Sequence, residues 1–182
     1  MSGRVDTDVF EEFGRRYPPG HLVNATSSNT SQLIHALLRV VQPCHVVEIG
    51  TWDGATSMWM VRALIENGRG SYTGYEINPK QAEETHRNLE RACPGGPWAV
   101  KSMNFLDEQY VESDFVFMDH EKTLYGPAMS KLFVPLNGYL LAHDTQAWPA
   151  SVQFAKNLSV TPGWEILNIH EERGLTIARK VA

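Results

Sequence analysis

The sequence predicts an α/β fold: a doubly wound, mostly parallel seven-stranded sheet with helices on both faces and an antiparallel C-terminal hairpin. Three observations carry this. Short, continuously apolar segments alternate with segments of helical periodicity, the pattern of strands covered on both faces. The last two strand-like segments are joined by a short charged turn with no helix between them, so they read as a hairpin. The 182 residues, 42% of them hydrophobic, are enough to fill one such core.

Each element has its own reason. Val9, Phe10, Phe13 and Tyr17 share a helical face, and Asp6 or Thr7 can cap its start, which predicts an amphipathic helix over residues 6–16. Pro18-Pro19-Gly20 then breaks the chain. Residues 1–20 therefore read as a helical appendage, serving as packing, lid or dimer contact, ahead of a main domain over 21–182. Leu33, Ile34, Leu37, Leu38 and Val41 recur at helical spacing and lead into a buried strand at 45–49. A helix from about Ala55 to Glu66 and a strand over 71–76 follow. Asn78-Pro79 supplies an N-cap and a first-turn proline for a helix to about Ala92. Pro94-Gly95-Gly96-Pro97 turns the chain into a strand at 98–101, and Asp114-Phe115-Val116-Phe117-Met118 forms the next. A helix over 125–133, a strand over 138–142 and a helix over 149–158 precede the hairpin strands at 164–169 and 175–179.

Composition narrows the function classes. Sixteen Lys and Arg against 21 Asp and Glu give a formal charge of -5, with no basic run suited to nucleic acid or a membrane surface. Apolar stretches fall far short of the roughly twenty residues that span a bilayer, and the N-terminus has no hydrophobic signal core. Cys44 and Cys93 make neither a disulfide framework nor a four-ligand zinc site. The expectation is a soluble, cytoplasmic protein with a small-molecule partner, and a homodimer if the Phe10, Phe13 and Tyr17 face is not covered by its own domain.

Ligands of open α/β sheets bind beyond the carboxyl ends of the strands, at the switch in strand order. The first strand ends in Glu48-Ile49-Gly50-Thr51-Trp52-Asp53-Gly54-Ala55-Thr56. Its glycines allow a tight turn at a helix N-terminus, but Trp52 stands where a dinucleotide fingerprint has its second glycine, and Glu48 would repel phosphate. A cationic or amino-bearing ligand suits this end better. Glu76 closes the second strand about twenty residues further on, the spacing at which an acid accepts hydrogen bonds from ribose hydroxyls. The fourth and fifth strands end in Asp119-His120-Glu121-Lys122 and His143-Asp144-Thr145. If these strands are neighbours, Asp119 and Asp144 face each other, and a hard cation such as Mg²⁺ would relieve their repulsion. One capping and one solvated carboxylate is the plain alternative. His120 and His143 read either as hydrogen-bonding residues or as transition-metal ligands. Lys122 beside a divalent ion would have a lowered pKa and serve as a general base.

Together Val47-Glu48-Ile49-Gly50 through Gly54, Tyr75-Glu76-Ile77-Asn78-Pro79, Phe117-Met118-Asp119-His120-Glu121-Lys122 and His143-Asp144-Thr145 resemble class I S-adenosylmethionine-dependent methyltransferases. The similarity is greatest to the small O-methyltransferases of the catechol O-methyltransferase type and runs from about Thr26 to the C-terminus. It implies that S-adenosylmethionine is the cofactor and that a small hydroxyl-bearing molecule accepts the methyl group. It implies that Glu48, Gly50 and Gly54 hold the methionine part, Glu76 the ribose and Ile77 the adenine, with His120 near the adenine and Thr51, Trp52 and Thr56 as further cofactor contacts. Asn104 and Phe105 are the nearest adenine-flanking candidates. Asp119 and Asp144 match metal-binding carboxylates, and Lys122 matches the lysine that deprotonates the acceptor. Asp119 and Lys122 are thus the catalytic pair. The chain departs from the family at Thr145, where an Asn or Asp usually gives the third metal ligand. A metal-independent O- or N-methyltransferase and a non-catalytic S-adenosylmethionine-binding protein are the alternatives. Trp52 argues against a nicotinamide-dependent oxidoreductase. Trp148, Trp164 and Tyr125 are candidates for an aromatic acceptor wall.

Overall fold

The computed structural model describes residues 3–18, 26–170 and 173–182. Pro19 and Gly20 of the expected break, and Glu171 and Glu172 of the hairpin turn, lie outside the described residues. In chain order the helices are α1 (Thr7–Arg16), α2 (Ser28–Val41), α3 (Ala55–Asn67), α4 (Pro79–Ala92), α5 (Tyr125–Met129) and α6 (Pro149–Ser159). The strands are β1 (His45–Ile49), β2 (Ser71–Glu76), β3 (Trp98–Ser102), β4 (Val111–Glu112), β5 (Phe115–Met118), β6 (Leu132–Phe133), β7 (Tyr139–His143), β8 (Trp164–Ile169) and β9 (Leu175–Lys180).

The main sheet has seven strands in the order β3-β2-β1-β5-β7-β9-β8. β3, β2, β1, β5 and β7 run parallel, and β9 is antiparallel to both β7 and β8, as the expected hairpin requires. The order reverses between β1 and β5, and Ile49 pairs with Met118 there, so the carboxyl ends of the two halves lie side by side. Successive residues within a strand feed opposite faces. Val46, Phe115 and Phe117 pack with Ile34, Leu38, Met58 and Leu89 from α2, α3 and α4. Val47, Val116 and Met118 pack with Tyr125, Ala128, Phe154 and Leu158 from α5 and α6. Complete burial of a residue such as Phe117 contributes about 1.5–3 kcal/mol.

Local chemistry sets the boundaries. Asp6 caps α1 by accepting from Asp8 N, and Asn78 caps α4 by accepting from Lys80 N. Asp114, expected inside a strand, instead accepts from the backbone N–H groups of Cys44 and His45 and pins the start of β1. The helix expected over 125–133 stops at Met129, because Leu132–Phe133 pairs in parallel with Val111–Glu112 in a small second sheet. Two residues per strand are too short a stretch for periodicity to reveal. Val9, Phe10, Phe13 and Tyr17 are buried in the chain's own core, so α1 docks on its own domain. No helix among the described residues is long and apolar enough to cross a membrane.

Candidate active site

A cavity of about 810 Å³ opens at the carboxyl edge of the sheet, over the switch between β1 and β5, within the range of small-molecule sites. On its β1–β2 side the turn after β1 is built for close approach. Gly50 has φ +90°, and a Cβ there would meet the Asp119 carbonyl oxygen at 2.7 Å. Trp52 occupies the left-handed region at φ 52° and leaves its indole 43% exposed. Its strain is balanced by two contacts: its N–H donates to Glu76 Oε2 (3.0 Å), and its carbonyl accepts from Thr85 Oγ1 (2.7 Å). Gly54, at φ +84°, is the N-cap of α3.

Two acids face this half of the cavity. Glu48 is buried and accepts from Ser57 Oγ (2.5 Å) and the Tyr72 hydroxyl. Burial outweighs these hydroxyl contacts and pushes its carboxyl up to about 8. A buried acid held only by neutral donors gains a full charge interaction when an ammonium group arrives. Glu76 accepts from the N–H groups of Trp52 (3.0 Å) and Asn78 (2.9 Å), so it braces the turn with lone pairs left for a ligand. Ile77 is exposed, while Phe105 packs edge-on against Tyr75 with ring centroids 5.0 Å apart. Asn104 spends its side-chain oxygen on Leu106 N (3.1 Å). His120 is largely buried, and burial outweighs its backbone contacts with Leu124 and Ile49 and lowers it to about 4, so its ring is neutral.

The β5–β7 side carries the charges. β5 and β7 are neighbours, as the paired-carboxylate reading requires. Lys122 Nζ bridges Asp119 Oδ1 (2.6 Å) and Asp144 Oδ2 (3.0 Å). Asp119 also accepts from Thr26 Oγ1 at 2.9 Å. Arg173 Nε lies 2.6 Å from Asp144 Oδ1, and His143 Nδ1 lies 3.2 Å from Asp119 Oδ2. Burial favours the neutral form of Asp119, but His143 and Lys122 outweigh it and hold the carboxyl well below its usual range. Burial alone would lower Lys122; Asp119 and Asp144 reverse that and raise it. The ammonium itself sits between the two carboxylates, which is why its pKa is raised.

Asp119, His143 and Asp144 do bring ligand atoms within 4.8 Å of one another. They nevertheless fit Mg²⁺ poorly. Each carboxylate already contacts a side-chain cation, and His143 offers nitrogen where Mg²⁺ prefers oxygen. Thr145, expected as third ligand, hydrogen-bonds Thr176 Oγ1 (3.0 Å) and does not line the cavity. Its hydroxyl is turned toward β9.

The other expected residues, Glu48, Gly50, Thr51, Trp52, Thr56, Glu76, Ile77, Asn104, Phe105, Asp119, His120, Lys122 and Asp144, all border the one cavity; Gly54 shapes the turn without lining it. Of the three aromatic candidates only Trp148 lines it. Tyr125 is fully buried, donating to the carbonyls of Met118 (3.0 Å) and His143 (3.1 Å), and Trp164 packs against the core under Lys180. Sequence reasoning missed Thr26, Asp53 and Arg173. Asp53 stood within the quoted turn, and it accepts from the Tyr17 hydroxyl (2.5 Å) and from Ala55 N (3.2 Å). Arg173 gave no signal beyond its place in a charged turn.

A doubly wound sheet with a reversed last strand, and acids rather than phosphate-binding glycines at the ends of β1 and β2, defines the class I methyltransferase architecture. Known proteins agree. A family model described as a methyltransferase domain matches residues 47–145. A catechol O-methyltransferase of Niastella koreensis is 30% identical over 108 residues, 56% of this chain and 48% of that protein, so the match spans about half of this relative. A caffeoyl-CoA O-methyltransferase of Mesembryanthemum crystallinum is 23% identical over 86% of this chain and 73% of its own length. Among solved structures, an SAH-bound methyltransferase of Podospora anserina superposes with a TM-score of 0.80 at 16% identity, covering 99% of this chain and 90% of its own. An O-methyltransferase of Bacillus cereus in complex with SAH gives 0.75 at 18% identity, covering 95% and 90%. The chain belongs to the methyltransferase-domain family, with the fold of the class I S-adenosylmethionine-dependent enzymes. The resemblance drawn from the sequence holds.

Proposed function

We propose that this protein transfers the methyl group of S-adenosylmethionine to a hydroxyl of a small acceptor. The observation that carries the reading is the convergence of Glu48, Glu76 and Lys122 on one cavity. When bound, the cofactor supplies an electrophilic methyl group; the chain supplies position and a deprotonated oxygen. Glu48 holds the cationic amino end, Glu76 the ribose, and Ile77 with Phe105 the base. Gly50, Thr51, Trp52 and Thr56 shape the floor, with His120 and Asn104 at its border. A hydroxyl is a weak nucleophile until it loses its proton. Lys122, steadied by Asp119 and Asp144, favours the oxyanion as a cation and takes the proton in its amine form. Because its carboxylates raise its pKa, that form grows as pH rises, and turnover should rise on the alkaline side.

The names of the relatives support oxygen as the accepting atom. Residues 1–20 act in this reading as a helical appendage that brings Tyr17 to Asp53, and residues 21–182 as the methyltransferase domain. Calorimetry with S-adenosylhomocysteine, followed by methyl-transfer assays on a panel of phenols, tests it. Saturable 1:1 binding at roughly micromolar Kd and a methyl ether product are expected; a protein that binds neither cofactor form sinks the assignment.

A further inference from the structure

We propose that Lys122 and Arg173 replace the divalent ion of the acceptor site, so that the chain engages its acceptor through a single hydroxyl rather than by chelating a vicinal diol. The inference rests on the O-methyl transfer reading above.

Charge is the first ground. Asp119 and Asp144 bring two negative charges to the cavity edge, and the Lys122 ammonium and the Arg173 guanidinium bring two positive ones. A hard divalent cation gains most from carboxylates that have no other cation, and here none is left over. The second ground is the ligand set. Thr145 Oγ1 lies 3.0 Å from Thr176 Oγ1, whose one O–H is donated to Asn168 Oδ1 (2.7 Å), so the Thr145 hydroxyl is turned toward β9 rather than the cavity.

The third ground is that Arg173 is held in place by the backbone. The Arg173 carbonyl accepts from Gln146 N (2.8 Å), and the Gly174 carbonyl accepts from Thr145 N (3.2 Å), so the segment after β7 is laced to the start of β9. Gly174 makes this possible: at φ +88° it lies against Gln146, whose Cγ would be 2.6 Å from any added Cβ. The guanidinium, only 17% exposed, is thereby delivered to Asp144 on the cavity wall. The pair acts by charge proximity at this one oxygen, since no directed hydrogen bond reaches Asp144 Oδ1.

The chemistry of the acceptor follows. A metal acts as a template because two neighbouring oxygens of one molecule can occupy its open positions. Two side-chain cations already contacting carboxylates offer no such pair of positions. An oxyanion can still approach the third N–H of Lys122, which borders the cavity, one oxygen at a time. Arg173 is in this sense a positioning residue that balances the charge of Asp144.

The test titrates Mn²⁺ into the full chain saturated with S-adenosylhomocysteine and reads bound ion by electron paramagnetic resonance. We expect no bound Mn²⁺ up to about 1 mM; stoichiometric binding in the micromolar range would overturn the proposal. The variant carrying Thr145→Asn with Arg173→Ala should gain Mn²⁺ affinity by at least about tenfold, and failure to gain it would remove Arg173 from the role. Its cofactor affinity reports whether it folds; if it does not, Thr145→Asn with Arg173→Gln gives the same readout. Turnover of a monohydroxy phenol should survive chelator within about twofold of the untreated rate, and its abolition would also overturn the proposal. A protein that methylates no acceptor would sink the functional reading instead and leave the Mn²⁺ titration interpretable.

Discussion

The two sides of the cavity handle acidity in opposite ways. At the ends of β1 and β2, Glu48 and Glu76 are held by hydroxyls and backbone N–H groups. At the ends of β5 and β7, Asp119 and Asp144 are held by lysine and arginine. One side keeps negative character in reserve for a cationic visitor; the other has neutralised itself. The difference teaches that an acid's function is read from its partners, since the four residues are equivalent as letters in a sequence.

Lys122 offers the sharpest way to break this comparison. Lys122→Ala should cut kcat by about 10²–10⁴-fold with S-adenosylhomocysteine affinity retained. Lys122→Arg keeps the charge balance but cannot lose its proton at working pH. If it recovers most of the rate, Lys122 acts by charge and not as a base. On the opposite side, Glu76→Ala should weaken cofactor binding by roughly 10–100-fold, the equivalent of about 1.5–3 kcal/mol for a charged hydrogen-bond acceptor. Calorimetry that finds an unaltered affinity rejects its ribose role.

Glu48 sharpens the comparison through pH. Its folded pKa is raised from 4.5 to about 8, so its contribution to stability is complete below the unfolded value and is lost as pH rises through about 8. Relative to Glu48→Gln, the wild type should therefore lose melting temperature between about pH 5 and pH 8. An ammonium ligand favours the ionised carboxyl, so cofactor binding should release a proton in the same window. Calorimetry in two buffers of different ionisation enthalpy measures that proton, and identical heats would place the amino group elsewhere. The smallest effect is expected at the rear of the turn. Tyr17→Phe removes the hydrogen bond to Asp53 and should cost about 1–3 kcal/mol, a fall in melting temperature of about 2–4 °C per kcal/mol. An unchanged melting curve would mean that the Tyr17 hydroxyl contributes nothing to the docking of α1.

The strands of the main sheet and most of the residues that border the cavity were legible because they follow from local pattern. Continuous apolar runs marked β1, β5 and β7, and the residues just past them had to fall on one edge of a parallel sheet. Arg173 was not legible, because its meaning depends on a backbone lacing between two loops nearly thirty residues apart, and nothing in a run of three charges announces it. The contact of Lys122 with both carboxylates was hidden for a related reason: the sequence offered Asp119 and Asp144 but not the geometry that lets the ammonium lie between them. Thr145 could be seen to be the wrong residue type for a ligand, but only Thr176 explains where its hydroxyl goes. The helix boundary after Met129 failed on length, since a two-residue strand leaves no period to read.

Gly50 ties the two sides together. With the Asp119 carbonyl oxygen 2.7 Å from where its Cβ would stand, even alanine would have to wedge β1 away from β5. In the proposed reaction donor and acceptor would sit on opposite banks of that seam, and a displacement tolerates little change in their separation. The gauge of that gap would then be set by a methyl group the chain does not have.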